Sequence, residues 1–196
     1  MSGKDLILAQ NRATLTNKRA IGSMSAMAKS STPKATKKPA PKSAASSGPE
    51  NAHTVLPHLV CAGAAKAIAF YTKAFGAKET FRLDRADGKV MHACIVIGSS
   101  PIFLVDEYPE WHLLGPLARN GTSVTLHLTV PDADAAAAKA VAAGATLTMP
   151  VDDMFWGDRY GVVTDPFGHR WSIAHKIKTM TPGEIADAMR KEEDSW

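Results

Sequence analysis

"LPHLVCAGAAKAIAFYTKAFGAKET" spans residues 56–80, and its outline returns as "TLHLTVPDADAAAAKAVAAGATLT" over residues 125–148. Each stretch opens on a short β-branched and apolar run with a central histidine, His58 or His127. Each continues through an Ala-rich segment and leaves it at a Gly-Ala pair, Gly76-Ala77 or Gly144-Ala145. The first run predicts a strand within 54–63. Ile68, Tyr71 and Phe75 recur at helical spacing and predict a helix over 64–75, with Gly76 as its C-cap. In the second copy a strand is expected over 122–130 and a helix over 133–143, started by Asp132 or Asp134 and ended by Gly144.

The segment after each helix repeats as well. "KETFRLD" (78–84) alternates and reads as a strand, "RADG" turns, and strands are expected over 89–98 and 101–107. After a connection at 108–121 and the second strand–helix pair, strands are expected over 145–156, 159–165 and 169–176. The sequence therefore holds two tandem βαβββ modules, 54–107 and 122–176. Each alone would leave a sheet face bare, so the two must share a core. The fold class is α+β. The chain closes on "TPGEIADAMRKEEDSW", where Thr181 and Glu184 form a capping box around Pro182, so a short C-terminal helix packing on the domain is expected within 179–196.

Charge is distributed unevenly. Residues 1–50 hold nine Lys/Arg and two acids, whereas residues 51–196 hold fourteen basic and seventeen acidic residues. The pI of about 9.1 belongs to the first stretch. Residues 1–51 are rich in Ala, Lys, Pro and Ser and are expected to be a disordered tail. Residues 51–196, which include the part expected to fold, 52–178, are mildly acidic, which gives them no nucleic-acid footprint. No apolar run reaches the roughly 18–20 residues of a membrane span. Cys61 and Cys94 lie in apolar runs without CxxC spacing, as expected of a reduced, cytoplasmic protein.

Four stretches carry a family resemblance: residues 57–77, "GSSPIFLVDEYPE" (98–110), "LHLTVPDADAA" (126–136) and "FWGDRYGVVTDPFGHRW" (155–171). Together they resemble the vicinal oxygen chelate superfamily of glyoxalases, bleomycin-resistance proteins and extradiol dioxygenases, most closely its PhnB-like branch. The resemblance implies a curled mixed sheet around a cavity, a small-molecule ligand and a homodimer. It also implies one divalent metal (zinc, nickel, manganese or iron) in those members that do chemistry. Carried over one at a time, the four ligand positions fall on Leu56, a residue near Leu104, Thr125 and Ser172, which make no normal ligand set.

Beside these positions lie His58, Asp106 and His127, each two residues further along its strand. They are the candidate for a shifted metal site, with His92 and Glu107 in reserve should the registers slip. His58 and His127 are the candidate catalytic residues. With no metal bound, the same histidines would be hydrogen-bonding cavity residues or a general base. The 155–171 stretch combines apolar walls with polar handles. Phe155, Trp156, Asp158, Arg159, Tyr160 and Trp171 are therefore expected to bind substrate. Within that stretch "TDPFG" is a tight turn joining the last two strands, and His169 after it reads as structural. Two functions stay open: a metal-dependent lyase, isomerase or dioxygenase, and a metal-free drug- or metabolite-binding protein.

Overall fold

The computed structural model describes residues 55–193. The expected N-terminal tail lies outside the described residues. Two four-stranded sheets are formed. The first comprises β1 (His58–Cys61), β2 (Lys78–Asp84), β3 (Val90–Ile97) and β4 (Ser100–Asp106), in the order β1-β4-β3-β2. The second comprises β5 (Thr125–Thr129), β6 (Thr146–Asp153), β7 (Asp158–Thr164) and β8 (Arg170–Lys176), in the order β5-β8-β7-β6. In each, the first strand runs parallel to the last and the other neighbours are antiparallel. Helices α1 (Ala64–Phe75) and α2 (Ala133–Ala143) each follow the first strand of their module. The α+β architecture of two tandem βαβββ modules is as expected. The sheets curl without closing, and none of the helices is long and apolar enough to cross a membrane among the described residues.

Local chemistry sets the boundaries. Gly76 and Gly144 end their helices in the left-handed conformation (φ 69° and 118°), which lets their N–H groups return to the last helical carbonyls. Asp132 starts α2 by accepting from Ala135 N at 3.0 Å. β1 is shorter than its apolar run, because Pro57 precedes it and Gly63 (φ 99°) turns the chain into α1. β6 stops at Asp153. A turn over 154–157 comes next, closed by Gly157 N on Met154 O at 2.9 Å. Phe155 and Trp156 therefore sit in a turn.

One face of each sheet packs on the helices. Leu59, Cys61, Leu104 and Ile95 of the first sheet and Trp171, Ile173 and Val163 of the second are buried there, together with Ile68, Phe70, Tyr71 and Ala140 of the helices. An aromatic group joins the modules: Phe75 and Tyr71 lie 4.7 and 5.4 Å from Trp171, and Phe70 lies 6.4 Å from Phe167. The capping box forms at α3 (Pro182–Glu193), with Thr181 N donating to Glu184 Oε2 at 2.7 Å and Glu184 N to Thr181 Oγ1 at 3.3 Å. Ile185, Ala186 and Ala188 are half-buried on that helix, while Met189 is exposed.

Candidate functional site

Strand alternation gives each sheet a second face, turned away from the helices. On the first sheet this face carries His58, His92, Phe81 and Phe103. His92 lies 5.7 Å from His58, 4.8 Å from Phe103 and 5.9 Å from Phe81, ring centre to ring centre. Burial, and then the neighbouring His92, hold the His58 imidazole below its ordinary pKa. On the second sheet the face carries His127, Ser172 and Tyr160, with Trp156 reaching in from the turn. His127 Nδ1 and Ser172 Oγ share a hydrogen bond of 2.8 Å. The Tyr160 ring lies 6.4 Å from His127 and nearly parallel to it, and Trp156 meets Tyr160 edge-on at 5.7 Å.

The repeat maps one face onto the other. His58 pairs with Phe103 as His127 pairs with Ser172, and His92 corresponds in register to Tyr160. β5 has a sheet partner on one side only. Beside it runs a groove of about 950 Å³ lined by β5, the N-terminal half of α2, the end of α1 and the turn around Ser99 and Ser100, with His127 in its wall. A smaller cleft of about 400 Å³ lies beside His58, Arg119, Leu114 and His169.

Asp106 does not join His58 as its spacing suggests: Leu104 and Asp106 point to the helix side, where Asp106 is buried. Its Oδ1 accepts from Gly63 N and Ala64 N at 3.0 and 2.8 Å, and its Oδ2 accepts from Val90 N at 2.7 Å. His175, its counterpart in the repeat, does the same for the other helix by accepting from Ala133 N at 2.9 Å. Both residues serve the otherwise unpaired N–H groups at a helix start. The reserve Glu107 accepts from Gly115 N at 2.7 Å. His58, Asp106 and His127 are thus not brought together. Among the described residues no three His, Cys, Asp or Glu side chains are grouped to hold a metal ion. The donor set of the described residues does not fit a divalent metal.

The 155–171 residues divide by face. Tyr160 and Trp156 join His127. Phe155 packs edge-on against Trp156 at 4.8 Å. Asp158 and Arg159 are not free handles: Lys176 Nζ lies 2.6 Å from Asp158, while Arg159 binds Asp134 with two of its nitrogens and Asp153 with a third. Trp171 belongs to the core. It is 2% exposed, and its Nε1 donates to Asp165 Oδ2 at 2.9 Å, though its edge also borders the groove. His169 is structural. Its Nε2 lies 3.1 Å from Val60 O, on the unpaired edge of β1, and burial lowers its pKa. The sequence reading missed Ser172 as the partner of His127. The signal was present, since a parallel β5–β8 pair sets those two residues side by side on one face.

The comparisons agree with this architecture. The family model for the glyoxalase/bleomycin resistance protein/dioxygenase superfamily matches residues 52–173. The uncharacterized protein Mb0911c of Mycobacterium bovis is 45% identical over 141 residues, which cover 70% of this chain and 93% of that protein. The crystal structure of the Arabidopsis thaliana protein At5g48480 is 30% identical with a TM-score of 0.53, covering 62% of this chain and 98% of that one. The PhnB protein of Bacillus cereus, 18% identical with a TM-score of 0.51, shares the fold over 63% of this chain and 99% of its own. Family match, sequence relatives and fold coincide on the two-module region, and the chain belongs to the glyoxalase/bleomycin resistance protein/dioxygenase superfamily.

Proposed function

We propose that this protein binds a small organic molecule in the groove beside β5 and over the aromatic face of the second sheet. The observation that carries the reading is the grouping of His127, Tyr160 and Trp156 next to a groove of about 950 Å³, a size that suits a small ligand. His127 is held through Nδ1 by Ser172, which leaves Nε2 as its remaining hydrogen-bonding atom. Tyr160 and Trp156 supply flat apolar surface beside it. The reading calls on no metal, since the described residues offer no ligand set for one. A homodimer fits the reading, because members of this superfamily often form dimers.

Titration of the full chain with planar neutral, cationic and anionic aromatic compounds tests this reading. Tryptophan fluorescence is the readout, and a chelator is present throughout. A saturable response that is lost in Tyr160→Ala is expected. No response to any compound, or a response that appears only when zinc, nickel, manganese or ferrous iron is added, would overturn it. A second reading, chemistry at His127 as a general base, draws on the same Ser172 contact, since a hydrogen bond to one ring nitrogen orients the other. It predicts turnover that disappears in His127→Ala.

A further inference from the structure

β1 and β5 are the end strands of their sheets and counterparts in the repeat, yet their outer edges differ. On β1, Phe103 N donates to Pro57 O at 3.0 Å and Glu107 N to Cys61 O at 3.2 Å, so the odd-numbered residues face β4 and Val60 turns its backbone outward. That edge is closed. His169 Nε2 lies 3.1 Å from Val60 O, and a Cβ at Gly115 would lie 2.6 Å from the same oxygen. On β5, Val130 N donates to Ala174 O at 2.9 Å, so Leu126 and Leu128 face β8, while Thr125, His127 and Thr129 turn their N–H and C=O groups outward. Among the described residues no hydrogen bond reaches those outward groups. The register counterpart of His169 is Ser100, which follows the two-residue turn Gly98-Ser99 and borders the groove.

The groove of about 950 Å³ runs along this open edge, because its wall includes His127 and Thr129 from one face of β5 and Leu126 and Leu128 from the other. A row of outward N–H and C=O groups is a template for another strand. A flat ring or a single head group meets one of these groups. An extended peptide meets alternate residues with a donor and an acceptor each. Its side chains then fall in turn on the His127 face and beside Leu126, Leu128 and the edge of Trp171. β5 is five residues long, so a ligand of about five residues, roughly 17 Å when extended, matches it. We infer that the ligand of this groove is a peptide or peptide-like molecule, taken up in extended form as an added strand on β5. The inference rests on the binding reading above and names its ligand class.

The test is isothermal titration calorimetry of the full chain with acetyl-Leu-Thr-Leu-Thr-Leu-amide and two isomers, one N-methylated on both threonines and the other on the last two leucines. A strand added to β5 turns alternate N–H groups towards it, those of the threonines or those of the leucines but not both. One isomer should therefore bind about tenfold or more weakly than the parent peptide, and the other within about threefold of it. On the protein side, Thr129→Pro removes one outward N–H, a change that an edge strand tolerates. It should weaken the parent peptide about three- to tenfold relative to Thr129→Val, which keeps that N–H. Circular dichroism checks folding, and should Thr129→Pro not fold, the two isomers decide alone. Equal weakening by the two methylation patterns, weakening by neither, equal affinity in the folded Pro and Val variants, or no binding of the parent peptide would overturn the inference. If a planar aromatic compound still binds and Tyr160→Ala abolishes that binding, the wider reading survives the loss of this one. If nothing binds, peptide included, both fall.

Discussion

Tyr71 Oη donates to Asp165 Oδ2 at 2.7 Å, joining the helix of the first module to the last turn of the second. Asp165 is a buried hub. Besides Tyr71 it accepts from Trp171 Nε1, Phe167 N and His169 N, each at 2.9 Å. The carboxylate therefore shapes its own turn through two backbone bonds and fixes the module contact through two side chains. Burial and the carboxylate keep the Tyr71 hydroxyl well above its usual pKa, so it remains a donor at any working pH.

Removal of this hub should be costly. Asp165→Ala strands several buried donors and is expected to lose about 3–4 kcal/mol in urea unfolding. Tyr71→Phe keeps the ring against Phe75 and Trp171 and leaves the carboxylate three donors, so about 1–2 kcal/mol is expected. If the two substitutions cost the same, Asp165 is not the hub described.

Two glycines with nearly the same backbone angle separate conformation from crowding. Gly88 and Gly157 have φ of 83° and 88°, so alanine pays a similar backbone penalty at each, about 1 kcal/mol. A Cβ at Gly88 meets open space, whereas one at Gly157 would lie 2.4 Å from Lys178 O. Gly157→Ala is expected to cost about 1–3 kcal/mol more than Gly88→Ala by thermal or urea unfolding, because backbone must move to admit the methyl group. The shift would also carry Phe155 and Trp156 away from Tyr160, so tryptophan fluorescence should change in Gly157→Ala alone.

Acid should weaken the fold through two histidines. Burial lowers the folded pKa of His58 and His169 below the ordinary 6.5, so the unfolded chain takes up protons first as pH falls. Where the unfolded state holds more protons, stability rises with pH. Their contribution is therefore intact above about 6.5 and is lost as pH drops towards the folded values. Urea unfolding at pH 7.5, 6.5 and 5.5 should show this decline, and His58→Gln should flatten it. An unchanged slope in that variant would mean that His58 contributes nothing to the decline.

Much of the fold was legible because both helices are punctuated. Gly76, Asp132 and Gly144 mark ends that hydrophobic periodicity alone would have left loose. Faces were harder to read. "PIFLVDE" is apolar almost throughout, so alternation could not tell which of Leu104 and Val105 meets the helices, and Asp106 went to the wrong side. Phe155 and Trp156 look like strand residues by propensity, but Gly157 closes a turn around them.

Arg159 and Tyr160 are neighbours in sequence and occupy opposite faces of β7, which makes them the sharpest test of the site. Arg159 lines up with His175 and is held by Asp134 at the start of α2 and by Asp153 at the end of β6. Tyr160 lines up with Ala174 and lies along the His127 ring. Arg159→Ala breaks exposed ion pairs, so stability should change little and ligand affinity should stay within about twofold. Tyr160→Ala removes flat apolar surface beside His127 and should weaken a bound aromatic ligand about tenfold or more. Calorimetry on both variants, with circular dichroism to check folding, gives the answer. If Arg159→Ala proves the more damaging to binding, the ligand sits on the helix side of β7, and the His127 face is not where it binds.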